Sequence, residues 1–248
     1  LRRQRQMCIR DSDSAGIATL NSGYIQEVKC EGRVDNLEKN IIKNKLLGNV
    51  GIGHVRWATH GIPSTLNAHP HSSDNVSVVH NGIIENSTLL KKFLVKKGHR
   101  FKSQTDTEVI VHLITEYLKK NNLIDTLTKV LKKLHGSFAL GIIFKDEPDL
   151  IVGARRGSPL AVGYGPGENY LGSDSYALKS MTNKITYLDD GEFCIIKKTE
   201  VSFFNEQGKK INKKILSLTT DEQNYDKGDY KHFMACLLYT SDAADEVD

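Results

Sequence analysis

The sequence contains few cysteines, and none of them form a closely spaced pair. The four cysteines among its 248 residues are Cys8, Cys30, Cys194 and Cys236, without a C-x-x-C motif. A structural zinc site needs clustered ligands, and disulfide scaffolds are typical of short secreted chains, so the sequence favours neither. We therefore expect a protein of a reducing compartment, the cytoplasm.

The sequence also lacks long apolar runs and a strong excess of one charge. No apolar run approaches the roughly 20 residues that cross a bilayer, and the basic N-terminus has no apolar core, so neither a membrane span nor a secretory signal is predicted. Net charge is +4, and the lysine pairs are not interleaved with aromatic residues. This favours solvated faces over a nucleic-acid surface. Four such pairs are Lys91-Lys92, Lys96-Lys97, Lys132-Lys133 and Lys213-Lys214.

Apolar periodicity predicts strands at both ends of the chain and helices between them. A hairpin is predicted around Asn21-Ser22-Gly23, a helix that stops at Gly48, and a further helix that begins with a capping box from Thr105 to Glu108. The apolar stripe of that helix consists of Val109, Ile110, Leu113, Ile114, Tyr117 and Leu118. There is no regular βαβ alternation, so we predict an α+β fold with helices on mostly antiparallel sheets.

The first polar segment that could carry binding or catalytic residues is HVRWATHG, where Arg56, Thr59 and His60 follow a predicted strand. An arginine at this position can bind a carboxylate through two parallel hydrogen bonds. From this segment alone, a surface arginine paired with a structural acid is an equally good interpretation.

The second segment is VVHNGIIEN, where Asn81 and Gly82 directly follow an apolar strand. Asn-Gly is a common hairpin turn, but the residues after it enter a predicted helix rather than a returning strand. The Asn side-chain amide and the Gly backbone N–H offer two neighbouring donors, which can hold the oxyanion of a tetrahedral intermediate. Glycine also lets a substrate approach the backbone closely.

The third segment is SQTDTEV, which brings Asp106 to a predicted helix start. Its carboxylate could simply interact with the helix dipole. Alternatively, it could be the counter-charge of a substrate ammonium. An Arg for a carboxylate and an Asp for an ammonium would together recognise a free amino acid.

Histidines are frequent in the same loops, which raises the question of a metal. The residues concerned are His54, His60, His69, His71 and His80. The AHPH segment keeps two histidines on either side of a proline, with no carboxylate cluster nearby. We therefore predict no metal site.

Seven segments in this order resemble the class II glutamine amidotransferase domain of the glucosamine-6-phosphate synthase family. They are DSAGIAT, GHVRWATHG, NAHPH, VVHNGIIEN, TDTEV, GSPLAVGYGPGENYLGSD and GDYKHFM, and they extend from Asp13 to about Met234. The resemblance implies a four-layer αββα sandwich of two stacked antiparallel sheets between helices, of the N-terminal-nucleophile hydrolase type. It implies no cofactor.

The resemblance also implies roles for individual residues. Arg56 would bind the α-carboxylate of L-glutamine, Asp106 would take its α-ammonium, and Asn81 with Gly82 would form the oxyanion hole. The other substrate-binding residues implied are Trp57, Thr59 and His60.

The nucleophile of that family is an N-terminal cysteine that opens a strand reading roughly C-G-I-V-G. Its thiolate attacks the amide carbonyl, and its own α-amine is the base. Cys8 lies five residues before Asp13, too few for the strand, helix and return strand of the family. We therefore expect that Cys8 is not the nucleophile, and that the chain as written is an N-terminally truncated, inactive fragment.

Both ends of the chain differ in composition from the middle. RQRQMCIRDS and CLLYTSDAADE resemble translated sequencing-adapter DNA joined to a read. We expect residues 1–12 and 235–248 to be non-native extensions, and residues 13–234 to be a type-2 glutamine amidotransferase domain.

The function implied by the resemblance is hydrolysis of L-glutamine to glutamate. The ammonia would be delivered to fructose 6-phosphate by sugar isomerase domains outside this sequence, in a full-length homo-oligomer. Two alternatives remain open at this point: a non-catalytic glutamine-binding or regulatory module, and a purine-type or asparagine-type class II amidotransferase.

Overall fold

The computed structural model describes residues 12–56 and 61–218, which form five helices and fourteen strands. In chain order these are β1 (Ser14–Asn21), β2 (Tyr24–Glu31), α1 (Val34–Asn44), β3 (Val50–Arg56), β4 (His71–Ser72), β5 (Val76–Ile84), α2 (Ser87–Lys96), α3 (Glu108–Leu118), α4 (Leu123–Lys133), β6 (Gly136–Phe144), β7 (Glu147–Arg156), β8 (Ala161–Gly165), β9 (Glu168–Gly172), α5 (Ser175–Leu178), β10 (Lys184–Tyr187), β11 (Phe193–Ile196), β12 (Val201–Phe204), β13 (Lys210–Ile211) and β14 (Leu216–Ser217). Among the described residues, no helix is long and apolar enough to cross a membrane.

A seven-stranded antiparallel sheet lies at the centre, in the order β13-β12-β11-β7-β6-β5-β4. The middle strands carry apolar side chains on both faces, because other layers of the fold cover both faces of the sheet. Along β6, Phe138, Leu140 and Ile142 pack toward the helices, while Ala139 and Ile143 pack toward the opposite side. The alternation of a strand places successive side chains on opposite faces.

Helices α2, α3 and α4 form the layer on one face of this sheet. Helix α3 is buried along most of its length, so that Val111 is buried as well as the predicted stripe residues Val109, Ile110, Leu113 and Ile114. Helix α4 buries Leu127 and Val130 and turns its lysines to solvent. These helices and the central sheet share the largest apolar core of the described chain.

The other face of the central sheet carries two smaller antiparallel sheets. One has the order β2-β1-β3 and packs through Ala18, Leu20 and Ile52, and the other has the order β14-β10-β8-β9 and packs through Val162 and Leu171. Helix α1 covers the first sheet and α5 covers the second. The predicted α+β sandwich is thereby confirmed.

Among the described residues, the second sheet layer consists of two separate sheets. Strand β3 is one edge of the three-stranded sheet, and β9 is one edge of the four-stranded sheet. The two edge strands face a common cavity, described below.

Two local predictions were inaccurate. Helix α1 ends at Asn44 rather than Gly48, because Lys45 takes up a left-handed conformation with φ 36°. The capping box was wrong, since α3 begins at Glu108 and the hydroxyl of Thr105 contacts His71 Nε2 at 3.0 Å instead. The hairpin turn is confirmed, with positive φ at Ser22 and Gly23.

Candidate functional site

Arg56 is the last residue of β3 and is buried, with 4% of its surface exposed. Its Nη2 donates to the Gly61 carbonyl at 3.3 Å, and its own carbonyl accepts from the Asp13 backbone N–H at 3.0 Å. Burial lowers the pKa of the guanidinium, and the carboxylates of Asp13 and Asp106 oppose that effect. An arginine stays charged in proteins, so the site contains a fixed cation.

Asn81 and Gly82 lie inside β5, not after it as the sequence predicted. Asn81 pairs with Ala139 and Gly82 with Phe138, and the strand continues to Ile84. Pairing with β6 therefore overrides the turn tendency of Asn-Gly, and the hairpin alternative is wrong. Alternation along β5 places Asn81 on the face of Val79, which lines the cavity.

Gly82 occupies a position that a larger residue could not take without strain. Its φ is +136°, and a Cβ there would lie 2.1 Å from the Ser137 carbonyl oxygen. A real Cβ cannot approach an oxygen so closely, so glycine is required by the close contact of β5 with β6. The backbone at the cavity thus stays uncovered by a side chain.

Asp106 lies in the loop before α3, two residues ahead of the first helical residue, Glu108. Its Oδ2 accepts a 2.7 Å hydrogen bond from the backbone N–H of Ile84, and 9% of the residue is exposed. The carboxylate is therefore held against β5, two residues beyond Gly82. This fixes the distance between an acidic group and the Asn81–Gly82 backbone.

Glu108 holds the loop that carries Asp106. Its carboxylate accepts from the backbone N–H groups of Lys102 and Ser103 at 2.8 and 2.6 Å, and from the Ser103 hydroxyl at 2.7 Å. Burial acts to raise the pKa of Glu108, but hydrogen bonds from His112, Lys102 and Ser103 outweigh it and lower the pKa to about 2. The loop is consequently anchored by a carboxylate that stays ionised at neutral pH.

Four of the five predicted loop histidines cluster beside Arg56, while His60 lies outside the described residues. Burial lowers the pKa of His54 to about 4 and that of His71 to about 3, and it also lowers the pKa values of His69 and His80. All four rings are therefore neutral at pH 7. Within the described residues, no group of three or more His, Cys, Asp or Glu side chains could hold a metal ion.

Thr107 joins two of these histidines, and sequence reasoning missed it. Its Oγ1 lies 2.9 Å from His69 Nε2 and 2.9 Å from His80 Nδ1, with all three residues buried. A signal was present in the sequence, since strand alternation places His80 on the same inward face as Val76 and Val78. A buried polar ring on that face needs a partner.

A cavity of about 920 Å³ brings the predicted residues together. Its walls are the edge strands β3 and β9, and its floor is formed by the central strands. Arg56, Asn81, Gly82 and Asp106 all line it. The remaining predicted site residues, Trp57, Thr59 and His60, lie outside the described residues.

Neither thiol that the structure describes belongs to this cavity. Cys30 and Cys194 are buried in two separate apolar cores. Burial raises the pKa values of both thiols, that of Cys194 to about 12, so neither is ionised at neutral pH. Cys8 lies outside the described residues.

Comparison with known proteins supports one family. A sequence profile of the glutamine amidotransferase domain matches residues 54–180. The chain is 49% identical over 226 residues to the glutamine–fructose-6-phosphate aminotransferase (isomerizing) of Mesorhizobium japonicum, covering 91% of this chain and 37% of that protein. It is 48% identical to the enzyme of the same name from Clostridium acetobutylicum, covering 93% of this chain and 38% of that protein.

Solved structures show the same fold. The glutamine phosphoribosylpyrophosphate amidotransferase of B. subtilis, complexed with ADP and GMP, superimposes with a TM-score of 0.68 and 28% identity. The match covers 82% of this chain and 45% of that one. This chain thus spans less than two fifths of the length of the curated relatives named above, and less than half of this structural neighbour.

Proposed function

The chain belongs to the glutamine amidotransferase domain family, and on that premise we propose that it supplies the glutamine site of a glutamine–fructose-6-phosphate aminotransferase. One observation carries the proposal: a single cavity is lined by a buried cation, a buried carboxylate and the Asn81–Gly82 pair. L-Glutamine has the complementary groups, namely an α-carboxylate, an α-ammonium and a side-chain amide carbonyl.

In this proposal Arg56 binds the α-carboxylate and Asp106 binds the α-ammonium. The cation of Arg56 is desolvated, so a bidentate bond to a carboxylate would be stronger than on the surface. The Asp106 carboxylate is already held by the Ile84 N–H, which leaves its position fixed before a ligand arrives. Trp57, Thr59 and His60 are proposed to complete this end of the pocket.

Asn81 and Gly82 are proposed to stabilise the amide oxygen as it becomes an oxyanion. The exposed Asn81 side chain and the Gly82 backbone support this role, since both residues line the cavity. The reaction also needs a thiolate. We propose that Cys8 is not that nucleophile, and that the chain as written does not turn over glutamine.

Calorimetric titration of the chain with L-glutamine tests the recognition part of the proposal. We expect Arg56→Ala and Asp106→Asn each to weaken binding by at least about tenfold, the loss of one charged hydrogen-bonded contact. Arg100→Ala and Asp146→Asn remove the same charges from exposed positions and are the matched controls. Wild-type affinity in the Arg56 and Asp106 variants would contradict the proposal.

A glutamate-release assay tests the proposal about Cys8. We expect the chain as written to release glutamate at the background rate, and Cys8→Ala to leave that rate unchanged. Robust turnover that disappears in Cys8→Ala would overturn the assignment, because it would identify Cys8 as the attacking group.

Sequence identity to known relatives and ligand titration distinguish the alternative functions. The aminotransferase relatives reach 49% identity, whereas the phosphoribosylpyrophosphate amidotransferase structure reaches 28%, which favours an amino-sugar role over a purine role. A non-catalytic glutamine-binding module would bind L-glutamine in the same titration. It would remain inactive even when the chain is preceded by an intact Met-Cys-Gly start.

Several wider assignments belong to the same proposal. Residues 13–234 would constitute the amidotransferase domain, and residues 1–12 and 235–248 would be non-native extensions. Fructose 6-phosphate would be bound by other domains of a longer, homo-oligomeric, cytoplasmic protein. Sequencing the source DNA across both junctions tests the boundaries, and recovery of the same codons from an intact locus would refute them.

A further inference from the structure

The hydroxyl of Thr107 lies between two imidazoles that are both neutral. A hydroxyl carries one proton, and a neutral imidazole carries one N–H and one lone pair. Oγ1 can donate to at most one of the two rings, so with both contacts at 2.9 Å at least one ring must donate to Oγ1. The tautomers of His69 and His80 are therefore coupled through Thr107.

The shared hydroxyl excludes one combination of tautomers. If His69 were protonated at Nδ1 and His80 at Nε2, both rings would present a lone pair to Oγ1, and its single proton could satisfy only one of them. At least one ring therefore carries its proton on the nitrogen that faces Thr107.

Thr107 and its neighbour Asp106 contact β5 on both sides of the Asn81–Gly82 pair. The Thr107 hydroxyl bonds to His80, immediately before the pair, while Asp106 accepts from the N–H of Ile84, two residues after it. His80 lies on the same face of β5 as Val76 and Val78, which pack against the helices, and Asn81 lies on the opposite face. The loop therefore supports the strand from beneath, at the point where the strand presents its donors.

We propose that Thr107 is a positioning residue: its hydroxyl links His69 to His80 by two hydrogen bonds and so fixes the Asn81–Gly82 donors for the side-chain amide of glutamine. The second half of this statement rests on the proposed function, while the two hydrogen bonds do not. Thr107 lines the cavity, but its hydroxyl is engaged by the two rings. Its effect reaches the ligand through His80 and the backbone of β5.

The tautomers can be measured without a ligand. In protein with ¹⁵N-labelled histidine at pH 7, long-range ¹H–¹⁵N spectra separate protonated from bare ring nitrogens. In the wild-type chain we expect a proton on at least one of the two nitrogens that face Thr107, His69 Nε2 and His80 Nδ1. In Thr107→Val, the ¹⁵N resonances of these two nitrogens should shift, because both lose their hydrogen-bond partner, and Thr107→Ser should restore them. Two bare nitrogens in the wild-type chain, or resonances that are unchanged in Thr107→Val, would overturn the proposed hydrogen bonds.

Ligand titration then tests the consequence for binding. Thr107→Val should weaken L-glutamine binding by about tenfold, the usual effect of one lost hydrogen bond in a buried network. Thr107→Ser should stay close to wild type. L-Norvaline has the same α-amino acid group without the side-chain amide, so its affinity should not change in either variant.

The two measurements separate the two ideas. If the wild-type chain fails to bind L-glutamine while His69 Nε2 or His80 Nδ1 is protonated, the proposed function fails and the hydrogen bonds of Thr107 stand. If Thr107→Val binds L-glutamine as tightly as wild type, or loses L-norvaline to the same extent, the positioning role is wrong. The wild-type spectrum alone tests the hydrogen bonds should Thr107→Val not fold.

Discussion

At the scale of single residues, the buried histidines make the fold sensitive to acid. His71 is 4% exposed, and its Nε2 contacts the Thr105 hydroxyl at 3.0 Å. Burial lowers its pKa to about 3, helped by the cations of Lys29 and Arg56 and opposed by Glu108. The unfolded chain takes up this proton near pH 6.5, whereas the folded chain resists it.

The sign of the pH dependence follows directly. Above pH 6.5 the ring is neutral in both states, and as the pH falls the unfolded state binds the proton first, so stability is lost between pH 6.5 and about 3. We expect urea unfolding to show a loss of about 2 kcal/mol at pH 5 relative to pH 7.5 from His71 alone. His71→Gln should reduce that difference by a similar amount.

The control for this prediction is His135→Gln, which removes an exposed histidine and should leave the pH dependence unchanged. A free energy of unfolding that is equal at the two pH values would contradict the expectation. So would an equal effect of the His71 and His135 variants.

At the scale of elements, β5 combines regular pairing with an unusual backbone. It pairs with β6 along its whole length, from Val76 with Phe144 to Ile84 with Gly136. Gly82 departs from the usual strand conformation with φ +136°, and the close approach of the Ser137 carbonyl leaves no room for a Cβ. The strand can therefore continue through the site only with glycine at this position.

Gly82→Ala tests that requirement, with Gly98→Ala as its matched control. Both residues have positive φ, which costs alanine about 1–2 kcal/mol, but a Cβ at Gly98 meets nothing within 4 Å. We expect Gly82→Ala to lower the free energy of unfolding by roughly 3 kcal/mol or more, because the contact with Ser137 adds to the strain. Equal losses in urea unfolding would show that the contact has no effect.

The elements also show what could be predicted from the sequence. Elements with a strong local signal, such as α3 and the β1–β2 hairpin, were predicted because the pattern that defines them lies within one short segment. The continuation of β5 through Asn81-Gly82 was not predicted, because it depends on pairing with β6, which lies more than fifty residues later in the sequence. The Thr105 capping box failed for a similar reason, because His71 competes for the hydroxyl.

The candidate site also contains residues that were identified from the sequence and residues that were not. The segments that carry Arg56, Asn81, Gly82 and Asp106 were identified from the sequence, and one cavity contains all four. Their roles toward a substrate stay predictions. Thr107 was missed because its partners His69 and His80 lie 38 and 27 residues away in the sequence. Glu108 was assigned to a capping box, whereas its carboxylate accepts from the backbone of Lys102 and Ser103.

At the scale of the whole molecule, the divided second layer leaves one edge strand on each side of the cavity. The cavity-facing edges of β3 and β9 have no pairing strand among the described residues. An edge strand with unpaired backbone groups is a template for pairing with another chain. Val55, on β3, is 39% exposed and carries no charge that would oppose such pairing.

We therefore expect concentration-dependent self-association of the chain, measurable by analytical ultracentrifugation. Val55→Lys should reduce it, because a lysine on an edge strand disfavours further pairing. Val95→Lys adds the same charge to an exposed site on α2, away from the sheet edges, and should have no such effect. If both variants associate to the same extent, the edges are not responsible.

The division of the second layer has a consequence for motion. No backbone ladder links the two smaller sheets among the described residues, so their separation is set only through side chains resting on the central sheet. Sliding of either small sheet over the central sheet would change the distance between Arg56 and the β9 residues without breaking a strand pair. We therefore expect the width of the cavity to depend on side-chain packing against the central sheet rather than on a hinge.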